Sequence, residues 1–163
     1  MGIYLDSGNT EFQEALNSKI YVDKSGLIEV TNQAIRTEQK YICVSRPRRF
    51  GKSMAANMLT AYYSSGCDSH EVFDNLKISS AASYKTHLNQ CHVIHLNMTD
   101  HIKRGRTMQE MLDRLCGRLL HDLKKAFGDV DCYDWEDLVS VLEDVFAEKQ
   151  VPLRSIRRNF RMI

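Results

Sequence analysis

The sequence predicts an α/β fold, a parallel sheet flanked by helices, and three observations lead there. A short apolar run at 40–45 (KYICVS) gives way to a basic loop and then to an amphipathic helix. A second apolar run, HVIHLNMT at 92–99, follows it. Beyond that run, residues 107–127 carry helical periodicity. Strands and helices in alternation are the pattern of a parallel sheet, because parallel neighbours can be joined only by a crossover.

The first run begins after the polar, helix-like stretch VTNQAIRTEQK and stops at Arg46-Pro47, so a buried strand is expected there. In KSMAANMLTAYY, Met54, Met58, Leu59 and Tyr62 recur at helical spacing, and Ser64-Ser65-Gly66 ends that helix. The run at 92–99 predicts a second strand. Met108, Met111, Leu112, Leu115, Leu119, Leu123 and Phe127 recur at steps of three and four, the clearest helix in the chain. A shorter helix is expected over 135–147, with Leu138, Val139, Leu142, Val145 and Phe146 on its inner side and Asp134 as its cap. Met98, Met108 and Met111 read as core material.

Composition bounds the rest. The chain has 163 residues, 43% of them hydrophobic, enough for one domain with a core of its own. No apolar run approaches the length that spans a bilayer, and the N-terminus lacks a charged-then-apolar leader pattern, so the expected setting is cytoplasmic with no membrane partner. Five cysteines, at 43, 67, 91, 116 and 132, form no C-x-x-C pair and are expected as reduced thiols. Net charge is +1, which demands no polyanionic partner. The distribution is uneven, since Lys149, Arg154, Arg157, Arg158 and Arg161 close the chain with no acid among them. A domain over 1–152 and a basic tail over 153–163 are expected.

The basic loop carries the chemistry. Binding phosphates at the start of a helix needs backbone N–H groups facing a concave turn, a lysine for the outer phosphates and a hydroxyl for magnesium. Gly51-Lys52-Ser53 supplies the second half of the pattern G-x-x-x-x-G-K-[ST], with Arg46 where its first glycine belongs. Position between an apolar run and a helix is the context that the mechanism requires, and it makes the expected fold P-loop NTPase-like. Candidate nucleotide-binding residues are therefore Arg46, Pro47, Arg48, Arg49, Phe50, Gly51, Lys52, Ser53 and Met54, with Ser53 the magnesium ligand. The arginines at 46, 48 and 49 have two further readings, contact with a nucleic-acid backbone or an ordinary solvated turn.

The segments Tyr21-Val22-Asp23-Lys24, Arg46 to Ser53 and Leu96-Asn97-Met98 together resemble the predicted AAA-ATPase-like family of bacterial proteins, over about residues 1–152. The resemblance implies that Arg46 is the family's own form of the motif. It also implies ATP as ligand, Lys52 on the β- and γ-phosphates and Ser53 on Mg2+. Longer relatives continue into a nuclease-like domain. From the residues alone, Asp23 and Lys24 read as an exposed pair ahead of a helix; by resemblance they lie near the nucleotide.

Hydrolysis also needs an acid at the end of a neighbouring strand to hold the magnesium shell. The family's acid-bearing strand is expected to begin at Val151-Pro152, but LRSIRRNFRMI follows, with no carboxylate and four arginines. Such a segment is not expected as a buried central strand. A truncated or frame-shifted end, and a sheet incomplete at the C-terminus, are the expectations. Asp100 is the substitute acid to consider, with a turn cap as its ordinary role. His92 and His95 should face opposite sides of a strand and make no metal pair. The functional expectation is ATP binding with hydrolysis unsupported, and the rivals are a nucleic-acid-binding fragment and a non-functional product. Oligomeric state stays open, a homo-oligomer included.

Overall fold

The computed structural model describes residues 2–45, 47, 49–98 and 107–149, with 153–158 described through their backbone. In chain order the elements are α1 (Thr10–Leu16), α2 (Gly26–Ala34), α3 (Lys52–Tyr63), the short α4 (His70–Phe73) and α5 (Tyr84–His87), β1 (His92–Asn97), α6 (Met108–Phe127), α7 (Leu138–Lys149) and β2 (Leu153–Arg158). Single 3-10 turns occupy Glu38–Lys40 and Lys77–Ser80.

This architecture corrects the expected parallel sheet flanked by helices. Helices dominate the described residues, β1 is the one strand within the body, and its ladder partner is the short tail segment β2. The strand expected at 40–45 does not form. Lys40 closes a 3-10 turn, and residues 41–45 run without regular structure. Tyr41 is 85% exposed, with Ile42 and Val44 near half, so an apolar run that reads as buried here lies uncovered. The tail adds a strand that was not anticipated, though not the buried central one the sequence argued against. Leu153 to Arg158 pair in parallel with His92 to Asn97, in register from His92 with Leu153 to Asn97 with Arg158. Backbone hydrogen bonding has prevailed over the arginine-rich sequence.

β1 divides two apolar cores. Val93 faces one, built from α1, α2 and α3 around Phe12, Ile28, Met58 and Tyr62. Ile94 and Leu96 face the other, which α6 and α7 close with Leu115, Leu119, Leu123 and Val141. The N-terminal segment joins the second core through Leu5, which bridges Ile94 in antiparallel sense.

α6 matches its periodic pattern. Thr107 caps it, its Oγ1 accepting from the Glu110 N–H at 3.2 Å. Met111 is buried as expected and so is Met98, but Met108 in the first turn is 68% exposed, which corrects its assignment to the core. α7 begins three residues later than expected. Asp137 rather than Asp134 caps it, accepting the Ser140 N–H at 2.9 Å; Val145 is buried as expected and Val141 joins it, but Val139 and Phe146, expected on the inner side, face solvent. All five cysteines are free thiols.

A buried polar network fixes α2 on α3. Tyr63 donates to Asn32 Oδ1 at 2.6 Å, Asn32 Nδ2 donates to the Tyr62 hydroxyl at 3.1 Å, and Tyr62 donates to the Tyr84 carbonyl at 2.6 Å. Every member has a partner, so the network specifies the helix pairing at no desolvation penalty. At the other end of the two helices Lys24 meets Phe50. The helices therefore run side by side with both N-termini at the end where Lys24 meets Phe50.

Candidate phosphate-binding loop

The turn into α3 is built around Gly51, the N-cap residue, at φ 77° and ψ 23°. This left-handed conformation costs an ordinary L-residue about 1–2 kcal/mol, which explains glycine here. Its carbonyl accepts the Ala55 N–H at 2.9 Å and opens the helical ladder. The N–H groups of Lys52, Ser53 and Met54 then fall in the first turn, where no intrahelical acceptor exists. Arg49 is also left-handed, at φ 68°, and exposed. Backbone held in that region by a residue with a β-carbon is unusual and concentrates at binding loops.

Lys52 folds back over the loop, its ammonium donating to the Pro47 carbonyl at 3.2 Å. Phe50 is 61% exposed, and Gly51, Lys52, Ser53 and Met54 are half-buried. The structure thus brings Pro47 and Arg49 through Met54 together at the N-terminus of a 12-residue helix. Arg46 and Arg48 lie outside the described residues, as do Asp100, Val151 and Pro152.

Asp23 and Lys24 are not the exposed pair that local sequence suggests. Lys24 Nζ donates to the Phe50 carbonyl at 2.9 Å, from the turn that starts α2. Asp23 holds that turn, its Oδ1 accepting the Ser25 N–H and its Oδ2 the Lys77 N–H, both at 2.8 Å. Burial pushes the Asp23 pKa up, but these backbone hydrogen bonds and the nearby Lys77 charge outweigh it and hold the carboxyl below its ordinary value. No sequence spacing announces the Lys24 contact; only the Tyr-Val-Asp-Lys resemblance pointed at this region.

A second cluster was not legible at all. Asp6, 6% exposed, accepts from Ser64 Oγ and the Val93 N–H through Oδ1, each at 2.8 Å, and pairs with His92 Nδ1 at 2.7 Å through Oδ2. His92 in turn sets its ring edge-on to Phe127, with centroids 4.8 Å apart. This cluster ties the N-terminal segment to the end of α3 and to β1. Just beyond lies a shallow concavity of about 380 Å³ lined by Ser65, Gly66, Cys67, Asp68, His70 and Asn89. It sits past the C-terminal end of α3, about 18 Å of helix from the loop at its N-terminus.

Residues 7–153 match the sequence model of a family described as Predicted AAA-ATPase. The chain belongs to the AAA-ATPase-like family. No curated protein and no solved structure matches it. Membership covers the loop, Asp23, Lys24 and β1 alike, and its matched span ends at Leu153, the first residue of β2. No helix among the described residues is long and apolar enough to cross a membrane.

Proposed function

We propose that the chain binds ATP with Mg2+ through residues 46–53, with hydrolysis unsupported because the strand paired with β1 offers no carboxylate. The observation that carries this reading is the entry to α3, where a left-handed Gly51 precedes a lysine folded back across its own loop. Family membership supports ATP as the nucleotide. The residues present suit a phosphate group. First-turn N–H groups of α3 are donors at the positive end of a helix dipole, and they favour an anion. For the Lys52 ammonium, exchanging a neutral carbonyl for a phosphate oxygen gives a charge-assisted and stronger hydrogen bond. Lys52 would hold the β- and γ-phosphates, and the Ser53 hydroxyl would take a place in the magnesium shell. Bound Mg2+ would neutralise phosphate charge.

Hydrolysis needs more than this. β2, the strand beside β1, has the sequence LRSIRR and no carboxylate to offer a metal. The division of the chain into a nucleotide domain over 1–152 and a basic tail belongs to the same proposal.

Titration of labelled ATP with magnesium against the chain and its Lys52→Ala variant tests the reading. Loss of one charged hydrogen-bond donor should weaken binding about tenfold or more. Equal affinity of the two proteins would refute it.

A further inference from the structure

We propose that Lys24 is a positioning residue of the phosphate loop, holding the Phe50–Gly51 peptide so that the Gly51 N–H is directed to the side where phosphate binds. The inference rests on the nucleotide-binding reading and deepens it. Its basis is the planarity of one peptide. The bond is trans, as no cis peptide occurs among the described residues, so the Phe50 carbonyl and the Gly51 N–H point in opposite directions. Lys24 Nζ holds that carbonyl at 2.9 Å. The N–H of Gly51 must then face away from Lys24.

Lys24 can impose this orientation because its own backbone is fixed independently of the loop. Asp23 takes the Ser25 and Lys77 N–H groups, and the Ser25 hydroxyl, on a residue with no exposed surface, accepts the Ile78 N–H at 3.1 Å. The Leu27 N–H returns to the Lys24 carbonyl at 3.0 Å. The loop side offers less, since Phe50 is 61% exposed. A turn held by buried hydrogen bonds therefore directs an exposed one. The left-handed φ favours glycine at 51, and a β-carbon there would lie 2.6 Å from Lys24 Nζ, so the ammonium would have to shift from its place. Lys24 and Lys52 thus take two carbonyls of one loop, those of Phe50 and Pro47, from separate elements. With the Phe50 carbonyl turned to the Lys24 ammonium, the Gly51 N–H is directed to the opposite side.

The test combines affinity with a local signature. Labelling phenylalanine carbonyl carbon with 13C and glycine nitrogen with 15N selects two peptide pairs in this sequence, Phe50–Gly51 and Phe127–Gly128, the second serving as an internal control. In Lys24→Met the first pair should shift while the second stays in place, and ATP·Mg2+ should bind about fivefold or more weakly, a change below one charged hydrogen bond. Lys24→Arg, which restores a donor, should recover both readouts. Unchanged affinity and an unshifted Phe50–Gly51 signal in Lys24→Met, with wild-type protein binding ATP, would overturn the inference and leave the loop reading intact. Weaker binding without a shift of that pair would also overturn it, because the effect would then not pass through the peptide. Failure of the wild-type chain to bind would overturn both. Should Lys24→Met lose its helical circular dichroism, Lys24→Gln decides by the same readouts.

Discussion

Replacing Asp6 should show how firmly the N-terminal segment is bound to the body. In Asp6→Ala three hydrogen bonds disappear, from Ser64 Oγ, the Val93 N–H and His92 Nδ1. Val93 and Ser64 have no exposed surface, so their donors are left inside without acceptors. Two orphaned buried donors and one lost charge-assisted bond amount to about 3–5 kcal/mol. Asp6 also sits at φ 49°, a conformation that aspartate tolerates better than alanine, which adds up to about 1 kcal/mol. Asp6→Asn keeps one oxygen for Ser64 and Val93 and loses the ionic partner of His92, so about 1–2 kcal/mol is expected. Urea unfolding followed by circular dichroism reads both variants. At a slope of about 2 kcal/mol per molar, the alanine variant should unfold at a midpoint lower by about 2 M. An alanine variant within about 1 kcal/mol of wild type would refute the reasoning. The pH dependence supplies a second check. Burial raises the Asp6 pKa, but the His92, Val93 and Ser64 hydrogen bonds together with the His92 charge outweigh burial and hold it below 3.8. A depressed carboxyl contributes stability above its unfolded value and loses it as pH falls through its folded value. Wild-type stability should therefore fall more steeply than that of Asp6→Asn as pH drops below about 4.

Thiol reactivity should separate the cysteines. Cys43 is exposed and should react with a disulfide reagent at once, whereas Cys91 is 1% exposed and its backbone is hydrogen-bonded to Tyr63 and Ser65. Mass-resolved labelling that modified both at the same rate in the folded protein would contradict this burial. Thr107→Ala removes the acceptor at the start of α6 and should cost about 0.5–2 kcal/mol in the same urea assay, with the glycine variant costing less than alanine.

What was legible in the sequence was local. The period of α6 is written in Met111, Leu115, Leu119 and Leu123, which all reach the core because a helix of that length must bury one stripe. The Gly51-Lys52-Ser53 turn was equally readable, since the left-handed position and the helix start are fixed by neighbours in the chain. The run at 41–45 misled because apolar composition states a preference for burial and says nothing about whether another element covers it. β2 was not legible because side-chain charge argued only against a buried central strand, while its backbone pairs in parallel with β1 in a two-stranded sheet. The start of α7 was misplaced because Asp134 and Asp137 are both capable caps, and in the structure it is Asp137 that accepts the Ser140 N–H. Asp6, Ser64 and His92, and likewise Lys24 and Phe50, lie far apart in sequence, and nothing in spacing or composition pairs them.

The Asp6–His92 contact spans 86 positions of the chain, and this separation sets an order in time. At a synthesis rate of about 5–20 residues per second, the N-terminal segment waits roughly 4–17 s for its histidine to be made, and longer for α6. During that interval Asp6 carries its charge into water, and Leu5 lacks both Ile94 and the core behind it. α1, α2 and α3 can begin to assemble their own core around Phe12 and Tyr62 meanwhile, since every member of that core but Val93 precedes His92 in the chain. The segment around Leu5 and Asp6 is therefore among the last to settle. A solubility tag placed ahead of Gly2 would act on a segment that must remain mobile until β1 has emerged.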